Sequence, residues 1–253
     1  MSLAVFILGR PGSGKSKVAQ FIQEFVSEQG WMAQHIYDYT LLQALFLEEI
    51  ATNTPIEQRK FRPRGPEASH GFDVTNFQVL DNVLYHMAHG VNTGELAPPG
   101  EKKLLLIEFA RNMYAEALNK FDVRLLQDAY LLYIDADMEI CIERIRQRVG
   151  DGSRFSHFVS EEIIRSYYYK GTTPQTIFQL KSAYYLDDRQ VQVIHNVGSW
   201  DDFLHEIGEF SARLFTDDSS TSRKTEPLSR HFPSVGRPAQ CPGVRKVEEA
   251  VVK

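Results

Sequence analysis

The stretch FILGRPGSGKS, Phe6–Ser16, joins an apolar run to a glycine-rich loop that ends in a lysine and a serine. Gly9, Gly14, Lys15 and Ser16 fit the spacing G-x-x-x-x-G-K-S, which is typical of a loop that holds phosphate groups. Glycines let backbone N–H groups approach phosphate oxygens closely, and a helix that starts there adds the positive end of its dipole. We therefore expect a phosphate-binding loop after the first strand.

The alternative is an ordinary glycine turn that binds nothing. The context favours phosphate binding, because a strand-like run precedes the glycines and an amphipathic helix pattern follows them, ended by Gly30. The lysine would reach the β- and γ-phosphates, and the serine hydroxyl would take a Mg²⁺ position. The predicted nucleotide-binding residues are Gly9, Arg10, Pro11, Gly12, Ser13, Gly14, Lys15 and Ser16. For Arg10, a solvated charge is an equal alternative.

Composition limits the classes of function. The 253-residue chain is 43% apolar, enough for one large core, and its formal net charge is −5, so nucleic acid is an improbable partner for the chain as a whole. Two cysteines, Cys141 and Cys241, are too few for a disulfide framework and indicate a reducing compartment. Neither a signal peptide nor a membrane-spanning run is visible. We expect a cytoplasmic protein without a membrane partner, in an oligomeric state that stays open.

Strand-like and helix-like segments alternate along the chain, which indicates βαβ units and an α/β fold with a parallel sheet. The apolar runs that predict strands lie at residues 1–8, 32–37, 103–109, 130–134 and 191–195. One of the helices between them is predicted over about 112–126. Residues 216–253 are polar with scattered Pro and Gly, which predicts a mostly disordered tail after a domain at 1–215.

Acidic residues follow two of the predicted strands. Asp38 comes after the second strand and Glu108 ends the third, and ligands collect at the carboxyl ends of parallel strands. Asp38 is predicted to accept a hydroxyl proton or hold a magnesium-bound water, with a helix cap as the alternative. Glu108 is predicted to bind Mg²⁺ or orient the nucleophile, with an edge ion pair as the alternative. Arg111 is predicted to face the same cleft and bind substrate.

Two groups of basic residues are further candidates. Arg144 and Arg148 are four residues apart on one predicted helix face, before a polar loop that contains Arg154 and His157. Such guanidinium groups neutralise a triphosphate when a loop closes over it, although a solvated basic helix face is an equal alternative. Earlier in the chain, the basic run RKFRPR at 59–64 includes Arg62 and Arg64, predicted to bind an anionic group of a substrate. A solvated basic loop is the alternative there.

Together, GRPGSGKS, the acid after the second strand, LLLIEFAR, the arginine pair and the late segment IHNVGSWDDFLHEI resemble the P-loop small-molecule kinases, over about residues 1–215. The resemblance implies a three-layer P-loop NTPase fold, with a five-stranded parallel sheet, helices on both faces and a helical lid at about 149–160. It also implies Mg-ATP as the phosphoryl donor. Lys15 and Ser16 match the loop lysine and the Mg²⁺ ligand, and Asp38 matches the general base of the uridine-kinase-like members.

The same resemblance assigns the later residues. Arg144 and Arg148 match the arginines that lead into the lid, while Asn196 and Gly198 fall in the segment that packs against adenine. The segment IEFAR departs from the DG turn of nucleotide kinases and from the adjacent Glu-Arg pair of deoxynucleoside kinases, which leaves the acceptor open.

The sequence therefore predicts a Mg-ATP-dependent phosphotransferase whose acceptor is a small hydroxyl- or phosphate-bearing metabolite. A nucleotide-switched regulatory ATPase that binds a protein partner is the second hypothesis. A nucleic-acid 5′-hydroxyl kinase is the third, and the acidic net charge argues against it.

Overall fold

A computed structural model describes residues 3–64, 71–96, 100–150, 158–169 and 174–216. All of them belong to one compact unit, Met1–Ser219. No helix in these ranges is long and apolar enough to cross a membrane. Almost all of the predicted tail at 216–253, and residues 151–157 of the predicted lid with Arg154 and His157, lie outside the described residues. The lid, the tail and the domain boundary thus stay predictions.

A parallel sheet lies at the centre of the unit. The strands of the described residues are β1 (Leu3–Leu8), β2 (Met32–Tyr37), β3 (Phe61–Pro63), β4 (Phe72–Val74), β5 (Lys103–Glu108), β6 (Tyr130–Asp135) and β7 (Val191–His195). Five of them pair in parallel in the order β2-β5-β1-β6-β7, which confirms the predicted α/β fold and all five predicted strands. The order reverses at β1, and in such sheets ligands bind beyond the carboxyl ends of the strands at the reversal.

Helices pack on both faces of this sheet, in three layers. The α-helices of the described residues are α1 (Lys15–Glu28), α2 (Asp38–Ala51), α3 (Gln78–Asn92), α4 (Tyr114–Leu118), α5 (Val123–Asp128), α6 (Met138–Gly150), α7 (Glu161–Ser166), α8 (Pro174–Tyr184) and α9 (Trp200–Thr216). Val5 and Ile7 of β1 belong to the core with α1 and α9, and Phe6 and Leu8 to the core with α3, α4, α5 and α8. Because both faces are covered, the strands are nearly continuous apolar runs.

A third apolar cluster joins α2, α3 and the antiparallel β3–β4 hairpin. Phe46 stacks on Phe72 with ring centroids 4.5 Å apart, and Phe61 meets Phe72 edge-on at 5.1 Å. In the hairpin, Arg62 pairs with Asp73 across the strands. The sequence predicts no strands here, because a strand of three residues is too short to show alternation.

The single helix predicted over about 112–126 is wrong, because a turn separates α4 from α5. The Asp122 carboxylate accepts a hydrogen bond from the backbone N–H of Arg124 at 2.8 Å and so caps the start of α5. In the turn, Phe121 inserts edge-on against Phe6 with centroids 4.9 Å apart. The cap and this buried aromatic contact outweigh the continuous helical spacing.

Replacing Ile7 with alanine should lower the free energy of unfolding by about 2–5 kcal/mol, because a fully buried side chain of the central strand is lost. Ile56→Ala is the matched control, since Ile56 is 76% exposed. It should change the free energy by less than about 0.5 kcal/mol. Urea unfolding measures both, and equal losses in the two variants would contradict the position of β1 in the core.

Candidate functional site

The loop between β1 and α1, Gly9–Gly14, is called the glycine loop below. Gly9 and Gly12 have positive φ angles of 146° and 82°. A Cβ atom on Gly9 would lie 2.5 Å from the carbonyl oxygen of Ile134, and one on Gly12 would lie 2.5 Å from that of Cys141. A side chain at either position is therefore excluded, and the glycine loop fits against β6 and α6 through its backbone.

The start of α1 leaves hydrogen-bond donors available to a ligand. Gly14 is at the N-cap position, and no side chain in the described residues caps the helix, so N–H groups of the first turn and the positive dipole end stay open. Lys15 Nζ donates to the carbonyl oxygen of Arg10 at 3.0 Å, which places the ammonium across the loop. Burial lowers the pKa of Lys15, while the charges of Glu108 and Asp38 oppose that change. A ligand with several anionic oxygens fits this arrangement.

Glu108, at the end of β5, is a buried carboxylate with two partners. Its Oε1 accepts a hydrogen bond from Ser16 Oγ at 2.9 Å, and its Oε2 lies 2.9 Å from His35 Nε2. Burial by itself would raise the pKa of Glu108, but the contact with His35, the charge of Lys15 and the hydrogen bond from Ser16 together outweigh burial and lower that pKa. Glu108 is therefore ionised at neutral pH, next to the predicted magnesium ligand Ser16.

The donor atoms at this place fit magnesium. Ser16 Oγ and the Glu108 carboxylate are hard oxygen donors within hydrogen-bond distance of one another. No group of three or more His, Cys, Asp or Glu within the described ranges could hold a metal ion by itself. Mg²⁺ keeps several waters and commonly takes phosphate oxygens as ligands. The pair therefore suits a magnesium ion that arrives with a triphosphate.

Asp38 and Arg111 form a buried ion pair close to the end of the neighbouring strand. Arg111 is 2% exposed, and its Nη1 and Nη2 also donate to the carbonyl oxygens of Ala110 and Leu80, both at 2.6 Å. Burial lowers the pKa of Arg111, but the charge and hydrogen bond of Asp38, together with the nearby Tyr167 and Tyr168, outweigh burial and raise that pKa above its ordinary value. Tyr37, not Asp38, is at the N-cap position of α2, so the helix-cap alternative for Asp38 is wrong.

Arg144 and Asn196 hold the other side of the glycine loop. Arg144 Nη2 donates to the backbone oxygen of Asn196 at 3.2 Å and to its Oδ1 at 3.1 Å. Asn196 Nδ2 in turn donates to the carbonyl oxygen of Ser13 at 2.8 Å. Gly198 lies nearby in the chain on the surface, where an added Cβ would meet nothing within 4 Å. Hydrogen bonds thus connect the predicted residues Ser13, Arg144 and Asn196, and Gly198 lies outside this connected group.

The two other arginines predicted near the phosphates have different surroundings. Arg10 donates from Nε to the carbonyl oxygen of Tyr168 at 3.4 Å and from Nη1 to that of Ala136 at 3.3 Å. It is half-buried, so the fully solvated alternative does not describe it. The charge of Arg148 contributes to the lowered pKa of Lys15, which places this guanidinium within electrostatic reach of the loop.

Arg62 and Arg64 meet at Asp73, whose side chain is completely buried. Asp73 Oδ2 accepts hydrogen bonds from Arg62 Nη2 at 3.2 Å and from Arg64 Nε at 2.6 Å. Its Oδ1 accepts from the backbone N–H of Ser160 at 2.8 Å, and the Ser160 side chain caps α7. The hydrogen bonds of these two arginines in the described ranges thus link the hairpin to the start of α7 rather than to the glycine loop.

Three residues of the site were not predicted: His35, Asp73 and Tyr114. The Tyr114 hydroxyl accepts a hydrogen bond from Gly9 N at 2.8 Å and donates one to Gly9 O at 3.0 Å. Burial raises the pKa of Tyr114 well above its ordinary value, so the hydroxyl keeps the proton that it donates. Tyr114 and Asp73 carry no local sequence signal for these contacts. His35 does, since it interrupts an apolar strand two residues before the strand ends.

No protein-family model matches the chain, and no curated protein does. Similar solved structures include a gluconokinase from Sinorhizobium meliloti 1021, with 14% identity, a TM-score of 0.44, and coverage of 87% of this chain and 98% of the other. An APS kinase from Mycobacterium tuberculosis in complex with AMPPNP and APS has 15% identity and a TM-score of 0.45, with coverage of 83% and 96%.

A shikimate kinase from Acinetobacter baumannii in complex with shikimate has 10% identity and a TM-score of 0.42, with coverage of 87% and 97%. At these identities and TM-scores, none of the three similarities assigns a family or a function to this chain. The function proposed below rests on the geometry of the site.

Tyr114→Phe should lower the free energy of unfolding by roughly 1–3 kcal/mol, because the polar groups of Gly9 lose a buried partner. Tyr185→Phe is the control, since Tyr185 is 76% exposed. Urea unfolding compares the two variants with the wild type. If Tyr114→Phe is as stable as Tyr185→Phe, the hydroxyl does not hold the glycine loop.

Glu108→Gln should change how stability depends on pH. A lowered pKa in the folded state stabilises the fold above the unfolded value of about 4.3, and this contribution is lost as pH falls through the folded pKa. Glu108→Gln should therefore flatten the loss of unfolding free energy below about pH 4.3. Glu28→Gln, which removes an exposed carboxylate of α1, should keep the wild-type profile. Identical profiles for both variants would contradict the lowered pKa.

Proposed function

We propose that this protein is a Mg-ATP-dependent phosphotransferase that acts on a small metabolite through a hydroxyl or phosphate group. One observation supports this most strongly: at the start of α1, Ser16 donates to the buried Glu108, and the Lys15 ammonium lies within electrostatic reach of Glu108 and of Asp38, the partner of Arg111. The ends of neighbouring parallel strands thus bring together three kinds of group: hydrogen-bond donors for a triphosphate, oxygen ligands for magnesium, and a carboxylate that can receive a proton from an acceptor.

On the donor side, the glycine loop and the Lys15 ammonium bind the β- and γ-phosphates of ATP. Ser16 and Glu108 would hold Mg²⁺, which supplies positive charge to the phosphoryl oxygens when it is bound. The charges of Arg10, Arg144 and Arg148 stabilise the transferring group and its leaving group. Adenine lies in this proposal against the segment of Asn196 and Gly198, because Asn196 already contacts the loop.

We propose Asp38, rather than Glu108, as the residue that receives the acceptor proton. Both oxygens of Glu108 are engaged, one by Ser16 and one by His35. Asp38 accepts from Arg111 Nη1 through Oδ2, and the buried Nε of Arg111 has no hydrogen-bond partner within the described residues. Arg111 is thus proposed to orient Asp38 and to donate to an acceptor oxygen. In a loose phosphoryl-transfer transition state, catalysis depends mainly on the position of the nucleophile and on electrostatic stabilisation, and this orientation supplies the position.

An aromatic cavity lined in part by Tyr39, the residue after Asp38, suggests the class of acceptor. It has a volume of about 20 Å³, and its lining includes Tyr39, Phe72, Phe77, Phe158 and Tyr168. A space of this size holds one water at most, so an acceptor enters only if the walls part. Aromatic walls favour a flat ring, as in a nucleoside or nucleotide, by stacking. Arg62 and Arg64, held by Asp73 at the cavity wall, are proposed to bind an anionic group of that acceptor.

ATP consumption in the presence of a panel of nucleosides, nucleoside monophosphates and sugar acids tests the proposed function. Lys15→Ala should abolish turnover, because the buried ammonium is lost from the loop. Lys17→Ala, two residues along on the exposed face of α1, should leave it unchanged. If no acceptor raises ATP consumption above its basal rate, the phosphotransferase is refuted in favour of a nucleotide-switched ATPase with a protein partner.

Asp38→Asn should reduce turnover by about 10²-fold or more while ATP binding stays close to that of the wild type. Glu108→Gln should instead weaken binding of Mg-ATP, because it removes charge next to Ser16. Steady-state kinetics and calorimetry separate the two effects. A larger loss of turnover in Glu108→Gln, with normal Mg-ATP binding, would give the role of base to Glu108.

A further inference from the structure

His35 contacts the carboxylate of Glu108 from the edge strand of the sheet. In the β2–β5 pairing, His35 lies opposite Leu106 and Tyr37 lies opposite Glu108, so His35 is two residues back on the neighbouring strand. The imidazole stacks on the ring of Tyr37, with centroids 4.8 Å apart and an interplanar angle of 22°. The side chain of His35 is 15% exposed. The ring is therefore held on one side by an aromatic contact and at Nε2 by the carboxylate.

A carboxylate presents its oxygens in a fixed direction only if its rotation is restricted. Glu108 Oε2 is held by His35 at 2.9 Å, and this leaves Oε1 facing Ser16 Oγ at 2.9 Å. Without His35, the buried carboxylate would lose one of these two partners and could turn away from Ser16. A buried charge that loses a partner is costly, so the contact with His35 also keeps Glu108 in place.

We propose that His35 is a positioning residue for the magnesium site: its Nε2 orients the Glu108 carboxylate so that Oε1 and Ser16 Oγ face the metal together. This inference rests on the proposed function, in which Ser16 and Glu108 hold Mg²⁺ with ATP. It assigns a role to a residue that the glycine loop motif does not include. Mutation of a residue that hydrogen-bonds to a metal-binding carboxylate typically lowers the affinity for the metal by roughly 10–100-fold.

A purely structural ion pair at the sheet edge would have a different signature. Loss of His35 would then lower stability and leave the dependence of ATP binding on magnesium unchanged. If His35 positions Glu108, its loss should weaken the binding of ATP in the presence of magnesium and leave the binding of ATP without magnesium nearly unchanged. In the proposed function, the glycine loop and Lys15 contact the phosphates directly and do not need Glu108 to do so. The difference between the two binding constants is therefore the informative quantity.

Isothermal calorimetry of the full chain with ATP, once with magnesium and once with EDTA, measures that difference. His35→Phe keeps a ring that can stack on Tyr37 and removes the nitrogen that contacts Glu108. His35→Gln keeps an N–H donor at a similar reach, and His35→Asn is one methylene shorter. His205→Phe is the control, since the His205 side chain is 75% exposed on α9. The Gln and Asn variants repeat the comparison with polar side chains if His35→Phe does not fold.

His35→Phe and His35→Asn should weaken ATP binding in magnesium by roughly 10-fold or more and change binding in EDTA by less than about twofold. His35→Gln should recover most of the affinity, and His205→Phe should match the wild type. Equal weakening in both buffers, or none in either, would overturn the positioning role while the proposed function stands. Absence of ATP binding by the wild-type chain in magnesium would refute the proposed function and this inference with it.

Discussion

The hydrogen bond between Ser16 Oγ and Glu108 Oε1 joins the start of α1, directly after the glycine loop, to the end of β5. It exists because β1 and β5 are adjacent parallel strands, with Ile7 opposite Glu108, so that the loop after β1 and the end of β5 share one sheet edge. Keeping a charge buried there is costly by itself. The Lys15 ammonium, the His35 ring and the Ser16 hydroxyl together offset that cost and leave Glu108 ionised. The magnesium position in our proposal thus depends on strand pairing as much as on the loop motif.

Arg111 has a comparable place on the side of the site where we propose that the acceptor binds. Its guanidinium connects three elements, because it pairs with Asp38 at the start of α2, donates to Leu80 of α3 and follows directly from the end of β5. A buried cation is stable only when its charge and its N–H groups have partners. Asp38 supplies the charge and the two carbonyl oxygens supply acceptors, which leaves Nε as the unpartnered donor within the described residues. An acceptor oxygen would complete this set.

The sequence predicts the elements whose signals are local. The strands that are buried on both faces show as apolar runs, and the loop shows as a motif because only glycine tolerates the approach to Ile134 and Cys141. The contacts of Asp73 and Tyr114 join residues 87 and 105 positions apart, so no local pattern announces them. The predicted helix over 112–126 failed for the same reason, since burial of Phe121 against Phe6 is a long-range contact. The order of the strands predicts which residues lie at the same edge of the sheet. Their hydrogen bonds and ion pairs follow only from the three-dimensional structure.

One short segment, Glu108–Tyr114, contacts both sides of the proposed reaction. Glu108 reaches Ser16, Arg111 pairs with Asp38, and Tyr114 bridges the backbone of Gly9. In-line phosphoryl transfer requires the donor phosphate and the acceptor oxygen to be held at a fixed separation, and misplacement by about 1 Å can cost a factor of about 10² in rate. In the proposed reaction, a segment that contacts both binding regions through buried side chains would set that separation. The segment IEFAR differs from the DG turn of nucleotide kinases and from the Glu-Arg pair of deoxynucleoside kinases. In our proposal, it meets the same requirement, a fixed separation of donor and acceptor, with different residues.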